Sequence, residues 1–151
     1  MSKRENPKKR ERLTTLAENF NTFEERKRHL AFNFQFLTTG EGYGQSLEDW
    51  NKEGLLLDLN EKVKEFSKKT KSELLKDKTL AVYKEFPNNS HFKYPKSIPN
   101  SSQVEWARLT ITGRRRLAGF FSEGADRESD IFYAVFLDKN HDFYPVEKKH
   151  T

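Results

Sequence analysis

The stretch that decides the fold runs from Trp106 to Tyr144: WARLTITGRRRLAGFF (106–121), SEGADRES (122–129) and DIFYAVFLDKNHDFY (130–144). Three apolar runs rich in β-branched and aromatic residues are separated by Thr-Gly and by a Ser/Gly/Asp loop, the pattern of consecutive antiparallel strands. In the first run Val104, Trp106, Leu109 and Ile111 are the candidates for a buried face, with one slip near Ala107. In the second, Leu117, Gly119 and Phe121 share one side, Ala118 and Phe120 the other. The third, Ile131 to Leu137, is almost wholly apolar, which places it centrally with both faces covered. A meander this apolar requires a second layer, and only upstream segments can provide it.

Upstream, Phe32, Phe34 and Phe36 alternate with Asn33 and Gln35, so a half-buried first strand is expected there. Gly40, Gly42 and Gly44 follow. They lack the Lys-Ser/Thr of a phosphate loop and the spacing of a dinucleotide loop, and read as a strand-to-helix connection. Ser46 then opens a helix with Asp49 at the reciprocal capping position. Its stripe is Leu47, Trp50, Leu56, Leu59, Val63 and Phe66, with a kink or break at Gly54. Thr70 or Ser72 caps a further helix carrying Leu74, Leu75, Leu80, Ala81 and Tyr83, which stops before Pro87. Before all of these, Leu13, Leu16, Ala17 and Phe20 make a helical stripe within 11–30, with Thr22 and Glu25 as a second cap.

Composition sets limits. In 151 residues, 34% are hydrophobic and 34% charged, which is polar for a globular chain, yet 13 Phe, 5 Tyr and 2 Trp argue for a packed core. With no Cys, disulfides, thiolate metal sites and thiol catalysis are excluded. No apolar run reaches the ~18 residues of a membrane span, and no apolar stretch follows the basic start, so a cytoplasmic protein without a secretory signal is expected. The net charge of +5 is concentrated at the start: in residues 1–12, six Lys/Arg against two Glu leave +4. This basic tail reads as a solvated, disordered arm or as a loose nucleic-acid contact. The expectation is a tail (1–12) and one α+β domain (13–151). That domain holds a helical part (13–85), a Pro-rich loop (86–100) with Pro87, Pro95 and Pro99, and the β-meander (104–144).

The candidate chemistry lies on the meander and the loop. Arg108 is on the first strand; Arg114, Arg115 and Arg116 follow Gly113; Lys139, His141 and Tyr144 come just after the long apolar strand; His150 is near the end. On the loop, His91, Lys93, Tyr94 and Lys96 interleave basic and aromatic groups as single-stranded RNA contacts do. Antiparallel neighbours set the head of one strand beside the tail of the next, so these groups can gather at one edge. Arg and Lys bind phosphates and stabilise developing charge, His or Tyr can move protons, and RNA brings its own 2′-OH nucleophile. The four His show no metal-ligand spacing, so no cofactor or metal is implied. Against this, the Arg run could be an exposed basic turn neutralised by Asp126, Glu128, Asp130, Asp138 and Asp142.

The pattern Trp106-x-Arg108, Gly113-x-Arg115-x-Leu117, a hairpin, an apolar strand and Lys139-Asn-His141-x-x-Tyr144 resembles the C-terminal half of RelE/ParE-superfamily toxins. The resemblance covers residues 30–145 in topology and 104–144 in motif. It implies a β-α-α-β-β-β fold with an antiparallel sheet behind an N-terminal helical extension. It implies, too, a toxin of a bacterial toxin–antitoxin system: an endoribonuclease that cuts mRNA at the ribosome without a metal and is held by a cognate antitoxin protein. On this resemblance the catalytic residues are Arg108, Arg115, His141 and Tyr144. Arg114, Arg116, Lys139, His91, Lys93, Lys96 and His150 would contact RNA. The chain departs from the family at Trp106, where many members carry a basic residue, in a shorter 139–144 segment and in a longer helical pair. A ParE-like relative would instead act on gyrase, and the alternative is a non-catalytic module binding nucleic acid or protein through the same scaffold.

Overall fold

The computed structural model describes residues 28–99, 103–122 and 130–145. Five strands form one sheet: β1 (Ala31–Asn33), β2 (Leu80–Lys84), β3 (Val104–Thr112), β4 (Arg115–Ser122) and β5 (Ile131–Asp138). Helices α1 (Leu47–Lys52), α2 (Leu56–Phe66) and α3 (Lys71–Lys76) lie between β1 and β2 in the chain. The spatial order is β1-β5-β4-β3-β2. From β2 to β5 each step is antiparallel, whereas β1 pairs with β5 in parallel, Phe32 opposite Phe132. The sheet is therefore mixed, a correction to the expected antiparallel one. Three helices carry the chain across to the far edge at β2, and three reversals bring it back, so β5 arrives pointing the same way as β1.

Local sequence explains the helices. Ser46 accepts the Asp49 N–H at 3.0 Å and Asp49 accepts the Ser46 N–H, closing the capping box. Gly54, at φ 73°, breaks α1 from α2. Thr70, not Ser72, caps α3 through the Glu73 N–H. The helix expected to reach Tyr83 ends at Lys76; Lys78 takes a left-handed φ of 65°, and Leu80-Ala-Val-Tyr-Lys becomes edge strand β2. So the last part of the expected helical region is strand, giving β-α-α-α-β-β-β-β. Pairing with Ala107, Arg108 and Leu109 settles the matter, because tertiary context overrides a short local preference. The first strand is shorter than its phenylalanine alternation suggests: the chain turns at Phe34, where Leu37 N–H meets the Phe34 carbonyl. The N-terminal helical stripe and the basic tail lie outside the described residues.

Both faces of the sheet are covered. On one, Trp50, Leu59, Phe66 and Leu74 from the helices meet Leu80, Leu109, Ile111, Leu117, Phe121, Phe132 and Leu137. On the other, no helix packs among the described residues. Phe92 and Ile98 from the Pro-rich loop and Phe143 from the segment after β5 pack on Trp106, Ala118, Phe120, Val135 and Phe136. Rings meet mostly edge-on or tilted: Phe86 with Trp106 at 5.0 Å and with Phe143 at 5.5 Å, Trp106 with Phe120 at 5.5 Å. Each fully buried large apolar side chain contributes roughly 2 kcal/mol, so this layer is a core in its own right.

A register shift lets β5 serve both faces. Ala118 pairs with Phe136 but Gly119 pairs with Ala134, leaving Val135 as the extra residue of a β-bulge. Val135 and Phe136 consequently both join the aromatic layer. Gly119 is required at the bulge, since a Cβ there would collide with the Tyr133 carbonyl oxygen. Among the described residues no helix is long and apolar enough to cross a membrane.

Candidate functional site around Arg108 and Arg116

Strand alternation sorts the cations. On β3, Trp106, Arg108 and Thr110 share the aromatic-layer side; on β4, so do Arg116, Ala118 and Phe120. Register sets Thr110 opposite Arg116 and Arg108 opposite Ala118, so Arg108 and Arg116 stand on adjacent strands. Beyond the rings of the aromatic layer, the same sheet face thus ends in two guanidiniums. Burial lowers the Arg116 pKa, and the like charge of Arg108 lowers it further, while Tyr83 and Asp138 act against both.

Arg108 is fixed by its neighbours. Nε donates to the Tyr83 hydroxyl at 3.2 Å, and Nη1 donates to the Thr79 carbonyl at 3.1 Å and the Thr110 hydroxyl at 2.8 Å. Arg116 Nη1 donates to the Gly113 and Arg115 carbonyls, and its Nε is buried with no hydrogen-bond partner. A buried donor left unmade costs about 1–3 kcal/mol, and two neighbouring guanidiniums repel. An anion near the two guanidiniums would offset their repulsion.

The remaining wall is aromatic and imidazole. Tyr83, from β2, stacks on Tyr144 at 4.4 Å with the planes 9° apart, and Tyr144 is 41% exposed. His141 occupies the turn before Tyr144 at φ 64°, with Nδ1 buried and unpartnered. That turn is gripped from below by Asp138, which is fully buried opposite Arg116 and accepts the N–H of Asp142 at 2.8 Å and of Phe143 at 2.9 Å. Burial pushes the Asp138 carboxyl above its ordinary range, against those two N–H groups; the Asp142 charge adds to the rise and His141 opposes it.

The other sequence-derived candidates fall elsewhere. Arg114 is exposed in the two-residue turn between β3 and β4. Arg115 pairs with Thr112 after a bulge and lies on the helix side with Leu117, away from Arg108 and Arg116. Thr112 there lines a shallow cleft of about 230 Å³ against charged residues of α2. Lys139 is engaged with both carboxylate oxygens of Glu53 at 3.0 and 2.9 Å. His91 meets Asp142, Nδ1 to Oδ1 at 3.0 Å, and its N–H donates to the Asp142 carbonyl. Lys93 lies along Gly42, to whose carbonyl its N–H donates at 2.7 Å. Lys96 is exposed on the loop, and His150 is outside the described residues. Of the four residues assigned catalytic roles by resemblance, the fold thus links Arg108 and Tyr144 through Tyr83, puts His141 in the turn before Tyr144 with its Nδ1 buried, and sets Arg115 apart.

Two members were not legible. Tyr83 read as part of a helix, and Asp138 as one of several neutralising acids. The signal for Asp138 was an acid closing an otherwise apolar run of eight residues. Among the described residues no three His, Asp or Glu gather as a cation would need. In comparisons with known proteins, no family model, no curated protein and no solved structure matches the chain.

Proposed function

We propose that the chain is a RelE-like toxin: an endoribonuclease that acts on mRNA at the ribosome in the cytoplasm, without a metal, and is restrained by an antitoxin protein. The observation that carries this reading is the juxtaposition of Arg108 and Arg116 beside the Tyr83–Tyr144 stack, with His141 in the adjoining turn. Paired guanidiniums suit a phosphodiester and the extra charge it gains as the 2′-oxygen attacks. Tyr144 and His141 are the groups that can take and give the proton. In this reading Arg116 replaces Arg115 as the second phosphate ligand, because Arg115 stands on the helix side.

A binding module, nucleic-acid-directed or ParE-like, is the second reading. It is favoured by one observation: Arg108 Nε and Nη1 are engaged within the fold by Tyr83, Thr79 and Thr110. The test is induced expression in a bacterial host with mRNA sequencing, together with cleavage of a labelled mRNA loaded on bacterial ribosomes. The toxin reading requires growth arrest with cut mRNA. It requires Arg108→Ala and Arg116→Ala to lose about a hundredfold in cleavage, the usual cost of one transition-state donor, and Arg115→Ala to stay close to wild type. Binding without cleavage selects the second reading.

A further inference from the structure

We propose that Asp138 is a positioning residue, whose buried carboxylate fixes the turn from Lys139 to Tyr144 so that Tyr144 lies on Tyr83 beside the two guanidiniums. It is the single polar side chain among the fully buried described residues. A carboxylate in that position is costly, because burial removes its hydration, and an apolar side chain would pack there at less expense. What it does instead is specific. Its two oxygens take the N–H groups of consecutive residues, Asp142 and Phe143, at 2.8 and 2.9 Å. The Asp142 peptide is then held from both ends, since its carbonyl accepts the His91 N–H at 2.9 Å.

The turn so held is strained. His141, at its centre, has φ 64°, a conformation that non-glycine residues keep only where the surroundings over-determine it. Phe143 sets the depth of the segment by its ring contacts with Tyr83, Phe86 and Trp106. Depth alone leaves the backbone free to rotate about the buried ring, and the Asp138 grip removes that freedom. The next residue, Tyr144, inherits its direction. The charged and titratable groups acting on Asp138 are Arg116 on β4 and His141 and Asp142 in the turn.

The catalytic part of this inference rests on the endoribonuclease reading; the positioning part does not. The test compares full-length wild type with Asp138→Asn, which keeps one acceptor, and Asp138→Ala, which keeps none. Two quantities are read: NMR cross-peaks between the Tyr83 and Tyr144 rings, and cleavage of a fluorescein-labelled mRNA loaded on bacterial ribosomes. The cross-peaks are expected to weaken in Asp138→Asn and vanish in Asp138→Ala. Turnover should fall on the order of a hundredfold, the effect of ångström-scale misplacement, with a smaller change in KM because both guanidiniums of Arg108 and Arg116 are kept. Variants that retain the cross-peaks and wild-type turnover overturn the assignment. Loss of the folded spectrum in both variants also overturns it, making Asp138 purely structural. If wild type leaves RNA intact, the endoribonuclease reading fails on its own, and the ring cross-peaks alone decide whether Asp138 positions Tyr144.

Discussion

Tyr144 lies flat on Tyr83, ring centroids 4.4 Å apart, while the Tyr83 hydroxyl accepts a hydrogen bond from Arg108 Nε. One aromatic stack therefore aligns an exposed phenol with a fixed guanidinium. Tyr144→Phe keeps the stack and deletes only the hydroxyl. If that hydroxyl moves a proton, oligoribonucleotide affinity by fluorescence anisotropy stays near wild type, and single-turnover cleavage falls about a hundredfold. A parallel fall in affinity would assign Tyr144 to binding alone.

His141 is expected to trade stability for activity. Its left-handed backbone costs about 1 kcal/mol, and its buried Nδ1 has no partner. His141→Gly relieves both, so the melting temperature by calorimetry should rise by about 3 °C while cleavage declines. A lower melting temperature would mean that the imidazole is chiefly a packing element.

Asp138 makes stability depend on acid in an unusual direction. Its folded pKa is raised above the ordinary 3.8, so the folded state holds the proton more tightly than the unfolded one. Its contribution is fully present below about pH 4 and is lost as pH rises through the raised folded value. Measured against Asp138→Asn by urea denaturation, wild type should lose relative stability as pH climbs from 4 toward neutrality. A constant difference between the two proteins across that range would contradict the assignment of the group as a desolvated carboxylate.

Gly119 is expected to be the least replaceable glycine described. An added methyl would collide with the Tyr133 carbonyl oxygen, which cannot retreat without opening β4 from β5, and would crowd the Phe132 ring at 3.0 Å. Gly119→Ala should cost about 3 kcal/mol or more in denaturant unfolding. Gly54→Ala, with open space but φ 73°, should cost only about 1 kcal/mol.

The legible parts of the fold were those in which local pattern and tertiary role agree. β3, β4 and β5 announced themselves by β-branched and aromatic runs, and α1 and α2 by the Ser46 cap and the Trp50-to-Phe66 stripe. β2 was hidden because α3 stops without a glycine or proline: Lys78 supplies the left-handed residue, and Ala81 continues the i+7 helical spacing from Leu74. The parallel pairing of β1 is a property of the whole path and has no local trace.

At the site the same division holds. Arg108 and Tyr144 were visible as residue types, one on a strand of the meander and the other in the segment after its last strand. Which of three consecutive arginines joins them was not. That choice depends on the bulge between Thr110 and Thr112 and on the register with β4, and a slip of one residue exchanges the faces of Arg115 and Arg116.

The aromatic layer has a consequence for how the molecule would respond to its surroundings. The helical side of the sheet is sealed by hydrogen-bonded amides, whereas the opposite side is sealed by interlocked rings borne on loops. Amide hydrogen exchange reports the first kind of order and barely registers the second. Flip rates of Phe86, Phe136 and Phe143 would report it instead, because a ring edge-on to its neighbours turns only when the whole layer dilates. The wall that carries Tyr144 thus shows its solidity chiefly in side-chain motion, with the amides of His91, Asp142 and Phe143 as its few backbone reporters.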